Sequence, residues 1–392
     1  MQHVFTSHWE LVHRPKKKRV VNMRKTTYII GFCIALTIAC IVVSMSWTEI
    51  NQEALRHMPM QQNRSFRVLF PDVHFQLTSR PYAMMTNFSP CQYNNCILTH
   101  NMSERPQSDA LIITGRRIGY YKTPFPRTHE QIWIFHQIES PQHYDGQGTE
   151  WRTDPGWRSG FNWSMTYDYI NTDVHFPYGE IIKKQVITSR NYTEIALGKK
   201  RDALLVTSHC GNSAQREIYA KRLQKYITVD IFGGCGQKWN CGHLYVHDSC
   251  FDILNTTYRY FLAFENSLCR SYFTEKLFEN FNYDVLIVTR GGEFGQATKL
   301  FPKGSVISTD SFENADALGK YLSDISASVQ TYASLLQAKD QYEAKSYKAT
   351  YQNALCQICE MLNNQDKYRR HIPDTYNWTY SPQPCRKPTD LP

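Results

Sequence analysis

From Asp109 onward the chain repeats one pattern: a short apolar run rich in β-branched and aromatic residues, then a longer stretch with helical spacing. The runs are Ala110 to Thr114, Ile132 to Ile138, Ala203 to Thr207, Thr228 to Phe232, Tyr260 to Phe264 and Asp284 to Val288, with a last short one at Ser305 to Thr309. Their length and content predict buried strands. Helical stretches follow at Ala214 to Tyr226, Tyr272 to Phe281 and Asn314 to Gln337. Strands alternating with helices form βαβ units and parallel sheets, so the fold class is α/β. About 290 residues of this kind exceed one Rossmann-like unit, and the pattern predicts two, divided near residues 196–201. Residues 49–105 are polar, with Met-rich and Gln/Asn-rich stretches and no sustained periodicity, and read as a stem.

Charge changes the picture at the N-terminus. The chain has 44 Lys and Arg against 35 Asp and Glu, a net +9. Seven of the cations and one acid, Glu10, lie in the first 25 residues, so that segment carries +6 and the other 367 residues only +3. A nucleic-acid binder would show its charge on the folded part, so no nucleic-acid partner is expected. Between Lys25 and Glu49 no side chain is charged at neutral pH, and the 23 residues Thr26 to Thr48 would span about 34 Å as a helix, enough for a hydrocarbon core of about 30 Å. A cleaved signal peptide would need a shorter apolar region. A signal-anchor is expected, with Tyr28 and Trp47 near the two interfaces and the cationic end in the cytosol. Pro15 to Val20, PKKKRV, matches a nuclear-localisation pattern, but beside such a span these cations serve to orient the helix.

That topology puts the body in an oxidising compartment. Ten of the twelve cysteines lie outside the span, an even number that reads as disulfides with the pairing left open. The Cys356-Gln-Ile-Cys359 segment is read as a structural staple rather than a redox pair, and Cys91, Cys96, Cys356 and Cys359 are disulfide candidates. Sequons stand at Asn63, Asn87, Asn101, Asn162, Asn191, Asn255 and Asn377, against about three expected by chance. Cys235, Cys241, His243, His247 and Cys250 have zinc-ligand chemistry, but in this compartment disulfides and solvated histidines are the expected state.

Ligands of open α/β sheets sit beyond the carboxyl ends of the strands. The residues there are Glu139-Ser-Pro after one run, Ser208-His-Cys and then Arg216 after another, and Glu265 and Asn266, then Tyr272, Glu275 and Lys276, after a third. A lone carboxylate in one half and cations in the other suit an acceptor hydroxyl on one side and an anionic donor on the other. Other chemistries fail on spacing. His129-Glu130 lacks a second histidine at 133, there is no nucleophile elbow or Walker loop, and neither glycine cluster has dinucleotide-binding spacing. No Asp-x-Asp pair occurs, so no metal site is expected, a divalent cation would be at most a stimulant, and the protein itself must neutralise a diphosphate.

Phe264-Glu-Asn-Ser-Leu-Cys269 followed by Tyr272-Phe-Thr-Glu-Lys-Leu-Phe278 resembles the signature of the α1,3-fucosyltransferases of glycosyltransferase family 10. Phe161 to Tyr167 with Pro177-Tyr-Gly179, Glu139-Ser-Pro141, and Ser208-His-Cys210 with Arg216 are similar to further family blocks in the same order. Ser208-His-Cys210, Asp230 to Gly236 and the terminal Cys-x-x-Cys look most like invertebrate, nematode-like members. The resemblance covers roughly residues 109–385. It departs at residues 285–295, where Ile287 and Phe294 stand for the family's usual proline and tyrosine.

The resemblance implies a GT-B fold, two Rossmann-like domains facing a cleft, and a single-pass type II Golgi membrane enzyme with a lumenal body. The implied domains are a cytosolic tail (1–25), the signal-anchor (26–48), the stem (49–105), an acceptor-side domain (106–200), a GDP-fucose-binding domain (201–350) and a disulfide-stapled C-terminal segment (351–392). The implied activity is inverting transfer of L-fucose from GDP-β-L-fucose in α-1,3 linkage to GlcNAc of glycans on glycoprotein or glycolipid. No cofactor is required beyond the donor substrate. Glu139 is the implied base, Arg216 and Lys276 the cations on the diphosphate, and Asn266, Tyr272 and Glu275 the contacts to nucleotide or fucose. The alternatives are a glycan-binding relative of the same fold without catalysis, and a GT-B enzyme with another nucleotide sugar.

Overall fold

The computed structural model describes residues 64–72, 87–121, 124–128, 130–143, 152–238, 249–294 and 300–391. The tail and signal-anchor expected at 1–48, Asn63, Cys241, His243, His247 and the Cys250 side chain lie outside the described residues. Among the described residues no helix is long and apolar enough to cross a membrane.

Two parallel sheets form the body. The first holds β1 (Phe66–Leu69), β2 (Cys96–Thr99), β3 (Ala110–Thr114), β4 (Ile132–Gln137), β5 (Trp163–Thr166) and β6 (Val174–His175) in the order β2-β1-β3-β4-β5-β6. After β7 (Glu180–Lys183), the second holds β8 (Arg201–Val206), β9 (Val229–Phe232), β10 (Tyr258–Phe264), β12 (Leu286–Arg290) and β13 (Ile307–Ser308). Its order is β13-β12-β10-β8-β9. A short β11 (Leu268–Cys269) pairs with β15 (Cys385–Arg386), and β7 pairs with β14 (Tyr342–Lys345). In their own chain order the first sheet is wound 2-1-3-4-5-6 and the second 2-1-3-4-5, a doubly wound topology that reverses beside its first strand. The central strands lie under cover on both faces, which is why they read as continuous apolar runs: β12 is buried at every residue and β10 at all but Arg259.

Four boundaries differ from the sequence reading. The stretch read as stem (49–105) supplies β1 and β2, which pair in parallel from Phe66 opposite Cys96. The helix Tyr192–Gly198 lies before the expected 200/201 boundary, yet Tyr192 and Ala196 pack in the core of the second sheet. The stretch Asn314 to Gln337 is two helices, Ala315–Ala327 and Val329–Lys339, because extended Ser328 ends one and caps the other by accepting from Thr331 N. The segment read as a C-terminal appendage from 351 opens inside a helix, Tyr347–Asn363, whose buried Tyr347, Tyr351, Ala354, Leu355, Ile358 and Leu362 make one apolar face in the core with β1, β3 and β5.

That helix explains the cysteine spacing. Cys356 and Cys359 are three apart and share a helix face, and each takes its own partner, giving Cys91–Cys356 and Cys96–Cys359. The two disulfides fix the start of β2 and the turn before it to the helix. Cys210–Cys235 joins the loops after β8 and β9, and Cys269–Cys385 joins β11 to β15. The paired Cys235 is therefore no thiolate ligand. Cys210, Glu217 and Cys235 form a cluster of ligand-type atoms among the described residues, but both sulfurs are in that bridge.

Candidate active site

The loop after β4 runs along the seam between the halves, and successive residues of it are tied to the second half or to the C-terminal segment. Glu139 accepts a hydrogen bond at Oε2 from Tyr272 Oη, at 2.9 Å, and its Oε1 stands 3.9 Å from Arg116 Nη1. Ser140 Oγ donates to Ser267 Oγ at 2.8 Å. The Pro141 carbonyl accepts from Tyr380 Oη at 3.4 Å, and Gln142 Oε1 accepts from Ser213 Oγ. Glu139 keeps about a quarter of its side chain open to the cleft.

A collar of buried tyrosines surrounds that carboxylate. The Tyr272 and Tyr167 rings are 5.1 Å apart, and Tyr178 Oη donates to the Ile138 carbonyl at 3.2 Å. Burial first, and then charges that include Glu139, push the Tyr272 and Tyr178 phenols well above their ordinary value. Tyr272 therefore remains a donor to Glu139. The glycine of Pro177-Tyr-Gly179 has a packing reason, since a Cβ there would lie 2.4 Å from Phe278 Cγ.

In the second half the winding reverses between β8 and β10, so the crevice lies beyond their carboxyl ends. Two strained residues shape it. Gln215 (φ 51°) and Ser271 (φ 59°) are non-glycine residues in the left-handed region, and each directly precedes a candidate, Arg216 and Tyr272. Gly292 closes the donor loop from behind: a Cβ there would meet the Cys269 carbonyl at 1.5 Å, and its own carbonyl accepts from Ser271 N at 3.0 Å.

Arg216 opens the helix Arg216–Leu223 and is 2% exposed. Its Nη1 donates to the Phe264 carbonyl at 3.2 Å and its Nη2 to the His209 carbonyl at 3.0 Å. Its Nε is buried without a hydrogen-bond partner, the Glu217 carboxylate standing 3.9 Å away. Burial lowers its affinity for the proton, while Glu265 and Glu217 oppose the fall. A buried guanidinium with an unfilled N–H at a helix start fits an anionic oxygen.

Glu265 is fully buried and structural. Its Oε1 accepts from Thr274 N at 2.7 Å, and both its oxygens accept from Thr274 Oγ1. The carboxylate thus holds the start of Glu275–Phe278, a single turn where the sequence predicted a helix over 272–281. Burial raises its pKa and Lys276 opposes this. Lys276 Nζ donates to Thr274 Oγ1 at 2.7 Å, Glu275 Oε1 at 3.0 Å and Glu265 Oε2 at 3.2 Å. The cation is therefore shared with two carboxylates, and Arg216 is the less compensated of the two expected diphosphate ligands. Asn266 is half-buried; its carbonyl accepts from Ala214 N at 3.2 Å and its Oδ1 from Ser267 Oγ at 3.1 Å. Glu139, Tyr272, Asn266 and Arg216 thus line one seam, with Glu275 and Lys276 on the next turn.

His143 was not singled out in the sequence. It lies in the same loop four residues after Glu139, and its imidazole is within the electrostatic reach of Glu139, Arg216 and His209. Burial pushes that imidazole below its ordinary value. Its place in a strand-end loop beside a candidate base was the available signal.

Residues 196–378 match the C-terminal domain of glycosyltransferase family 10 (fucosyltransferase), and residues 43–179 match the fucosyltransferase N-terminal domain. Together these matches cover most of the chain, which belongs to that family. Among its relatives, alpha-(1,3)-fucosyltransferase C of Drosophila melanogaster is 30% identical over 277 residues, 65% of this chain and 61% of that protein. Glycoprotein 3-alpha-L-fucosyltransferase A of the same organism is 29% identical over 75% of this chain and 56% of its own length. Alpha-(1,3)-fucosyltransferase fut-1 of Caenorhabditis elegans is 26% identical over 77% and 67%. The matched region thus spans about three fifths of the first two relatives. A solved α1,3-fucosyltransferase shares the fold, with a TM-score of 0.50 over 80% of this chain and 94% of that one, and its form with GDP gives 0.51. At 13% identity that likeness speaks to the fold alone.

Proposed function

We propose that this chain transfers L-fucose from GDP-β-L-fucose, with inversion, to a GlcNAc hydroxyl of a glycoprotein glycan, in α-1,3 linkage. The observation that carries the reading is the Tyr272–Glu139 hydrogen bond across the seam, which sets a carboxylate of one half against the donor-side loop of the other. Glu139 takes the proton of the attacking hydroxyl, and Tyr272 holds the carboxylate in place. Arg216, with its unfilled Nε and the positive end of its helix, stabilises the departing diphosphate, while Lys276 supports the same loop through Glu265 and Glu275. Asn266 and Tyr272 flank the place where the fucose ring would lie. Two of the relatives above bear α-(1,3)-fucosyltransferase names, and the solved fold has been seen with GDP, which supports this donor. The uncharged segment 26–48 behind a cationic tail supports a type II anchor with the body in the lumen, and the resemblance to the family implies the Golgi membrane.

A donor panel tests the reading. The full chain in detergent should use GDP-fucose in preference to GDP-mannose and UDP- or CMP-sugars, and Arg216→Ala should weaken GDP binding at least ~10-fold by calorimetry. Equal use of another nucleotide sugar, or unchanged GDP affinity in that variant, would contradict it.

A further inference from the structure

Arg290 ends β12 with its guanidinium inside the second half, 1% exposed. A buried cation needs a counter-charge and acceptors for its N–H groups. Asp390 of the C-terminal tail supplies the charge bidentately, its Oδ2 accepting from Nη1 at 2.5 Å and its Oδ1 from Nη2 at 3.0 Å. The Ala214 carbonyl accepts from Nε at 3.3 Å and from Nη2 at 3.2 Å. The guanidinium also lies over the Tyr219 ring, 4.1 Å from its centroid.

These contacts bracket Arg216. Ala214 stands before it in the chain, and Tyr219 lies on the helix that Arg216 opens. Between Ala214 and Arg216 comes Gln215, exposed, in the left-handed region at φ 51° and with no side-chain cap bond to the helix. A non-glycine residue keeps such a backbone only where the structure around it enforces it. Here the Ala214 residue is gripped on both sides, because its N–H donates to the Asn266 carbonyl at 3.2 Å while its carbonyl accepts from Arg290. The Tyr219 ring meets the Phe264 ring edge-on at 5.6 Å, and the Phe264 carbonyl accepts from Arg216 Nη1. Arg290 thus reaches Arg216 through the backbone before it and through the ring that follows. We propose that Arg290, held by Asp390, is a positioning residue that fixes the 214–216 turn and so aims the Arg216 guanidinium at the donor's diphosphate. The C-terminal tail is then part of the donor site, acting through Arg290 and Arg216 in series. The inference rests on the GDP-fucose reading above and adds to it a determinant of donor affinity.

Replacing Arg290 would leave Asp390 and the buried Ala214 carbonyl without this partner, so the tail carboxylate is the better place to cut. A second ion pair, Arg386 with Asp310, docks the same tail and serves as the control. With the full chain in detergent, Asp390→Ala should weaken GDP binding ~5-fold by calorimetry and raise the KM for GDP-fucose alike, with the acceptor KM within about twofold of wild type. Arg386→Ala should bind GDP within about twofold of wild type. In an Arg216→Ala background, Asp390→Ala should cost less than about twofold more, since the residue through which it acts is gone. GDP affinity unchanged in Asp390→Ala, an equal loss in Arg386→Ala, or full additivity with Arg216→Ala would overturn the assignment. Failure of the wild-type chain itself to bind GDP would instead overturn the function on which it rests.

Discussion

Asn162 carries a sequon, but its partly buried side chain is committed to hydrogen bonds within the fold. Its Oδ1 accepts from Trp133 N at 2.9 Å and from Arg127 Nη2, its Nδ2 reaches the Arg370 carbonyl at 3.4 Å, and Ser164 of the same sequon is buried against Asp173. Asn87, Asn101, Asn191 and Asn377 are exposed. A transferred glycan needs Asn162 Nδ2 free and open. Expressed through a secretory pathway, the protein should therefore show glycan at some of those four sites and none at Asn162, as read by peptide mass after enzymatic deglycosylation; an occupied Asn162 would contradict the packing. At this scale the sequence displayed the chemistry better than the geometry. Glu139 was legible because the strand before it is apolar and the carboxylate follows directly. Its partner Tyr272 is 133 residues away, and only the winding of two sheets brings them together. The role of Lys276 was legible in part, because Glu265 reads as a neighbour of Asn266 and not as the carboxylate that holds this lysine.

Elements were legible where one physical cause sets them. Ala110 to Thr114 is β3 without change, since an apolar run of five between polar stretches has one stable use. β1 is four residues with an arginine among them, too short to stand out from the polar stretch around it. The helix expected over 272–281 shrank to one turn because Thr274 is extended (φ −111°, ψ −170°) and its N–H and hydroxyl are both taken by Glu265. The loop after β12 holds a titrating element. Glu293 is 1% exposed, its Oε1 accepts from Thr289 Oγ1 at 2.6 Å, and its Oε2 has no hydrogen-bond partner. Burial, then the charge of Asp310, raises its pKa from 4.5 to about 7. Between those values the folded chain keeps a proton that the unfolded chain has released. Stability from this group is thus full below pH 4.5, falls as pH rises to about 7 and stays lower above it. Glu293→Gln should stabilise the protein by on the order of 1–3 kcal/mol at pH 8 and change it little at pH 4.5, measured by thermal unfolding. An equal shift at both values would sink this reading.

The two halves of the described body are tied to each other by the segment after Ser381. The C-terminal segment returns to the second half, where Cys385 is bridged to Cys269, Arg386 pairs with Asp310, and Asp390 pairs with Arg290 at 2.5 Å. Arg290 is 1% exposed and also donates to the Ala214 carbonyl, so the tail is linked to the loop that leads into Arg216. Two further disulfides with sequence separations of 265 and 263 tie residues 91 and 96 to the late helix. Segments that a linear reading assigns to a stem and an appendage thus belong, where they are described, to the two halves themselves. No periodicity could show this, because the link is covalent pairing between distant cysteines. The consequence is a seam whose opposing residues are held in register, with Glu139 on one side and Tyr272 and Arg216 on the other. The most direct test of that arrangement is fucosyl transfer by the full chain in detergent, with GDP-fucose and defined N-glycan and LacNAc acceptors, comparing wild type with Glu139→Gln while GDP binding is followed in parallel. Wild type should give fucosylated product and Glu139→Gln at least ~100-fold less, with GDP affinity unchanged between the two. Transfer at the wild-type rate by Glu139→Gln would contradict it.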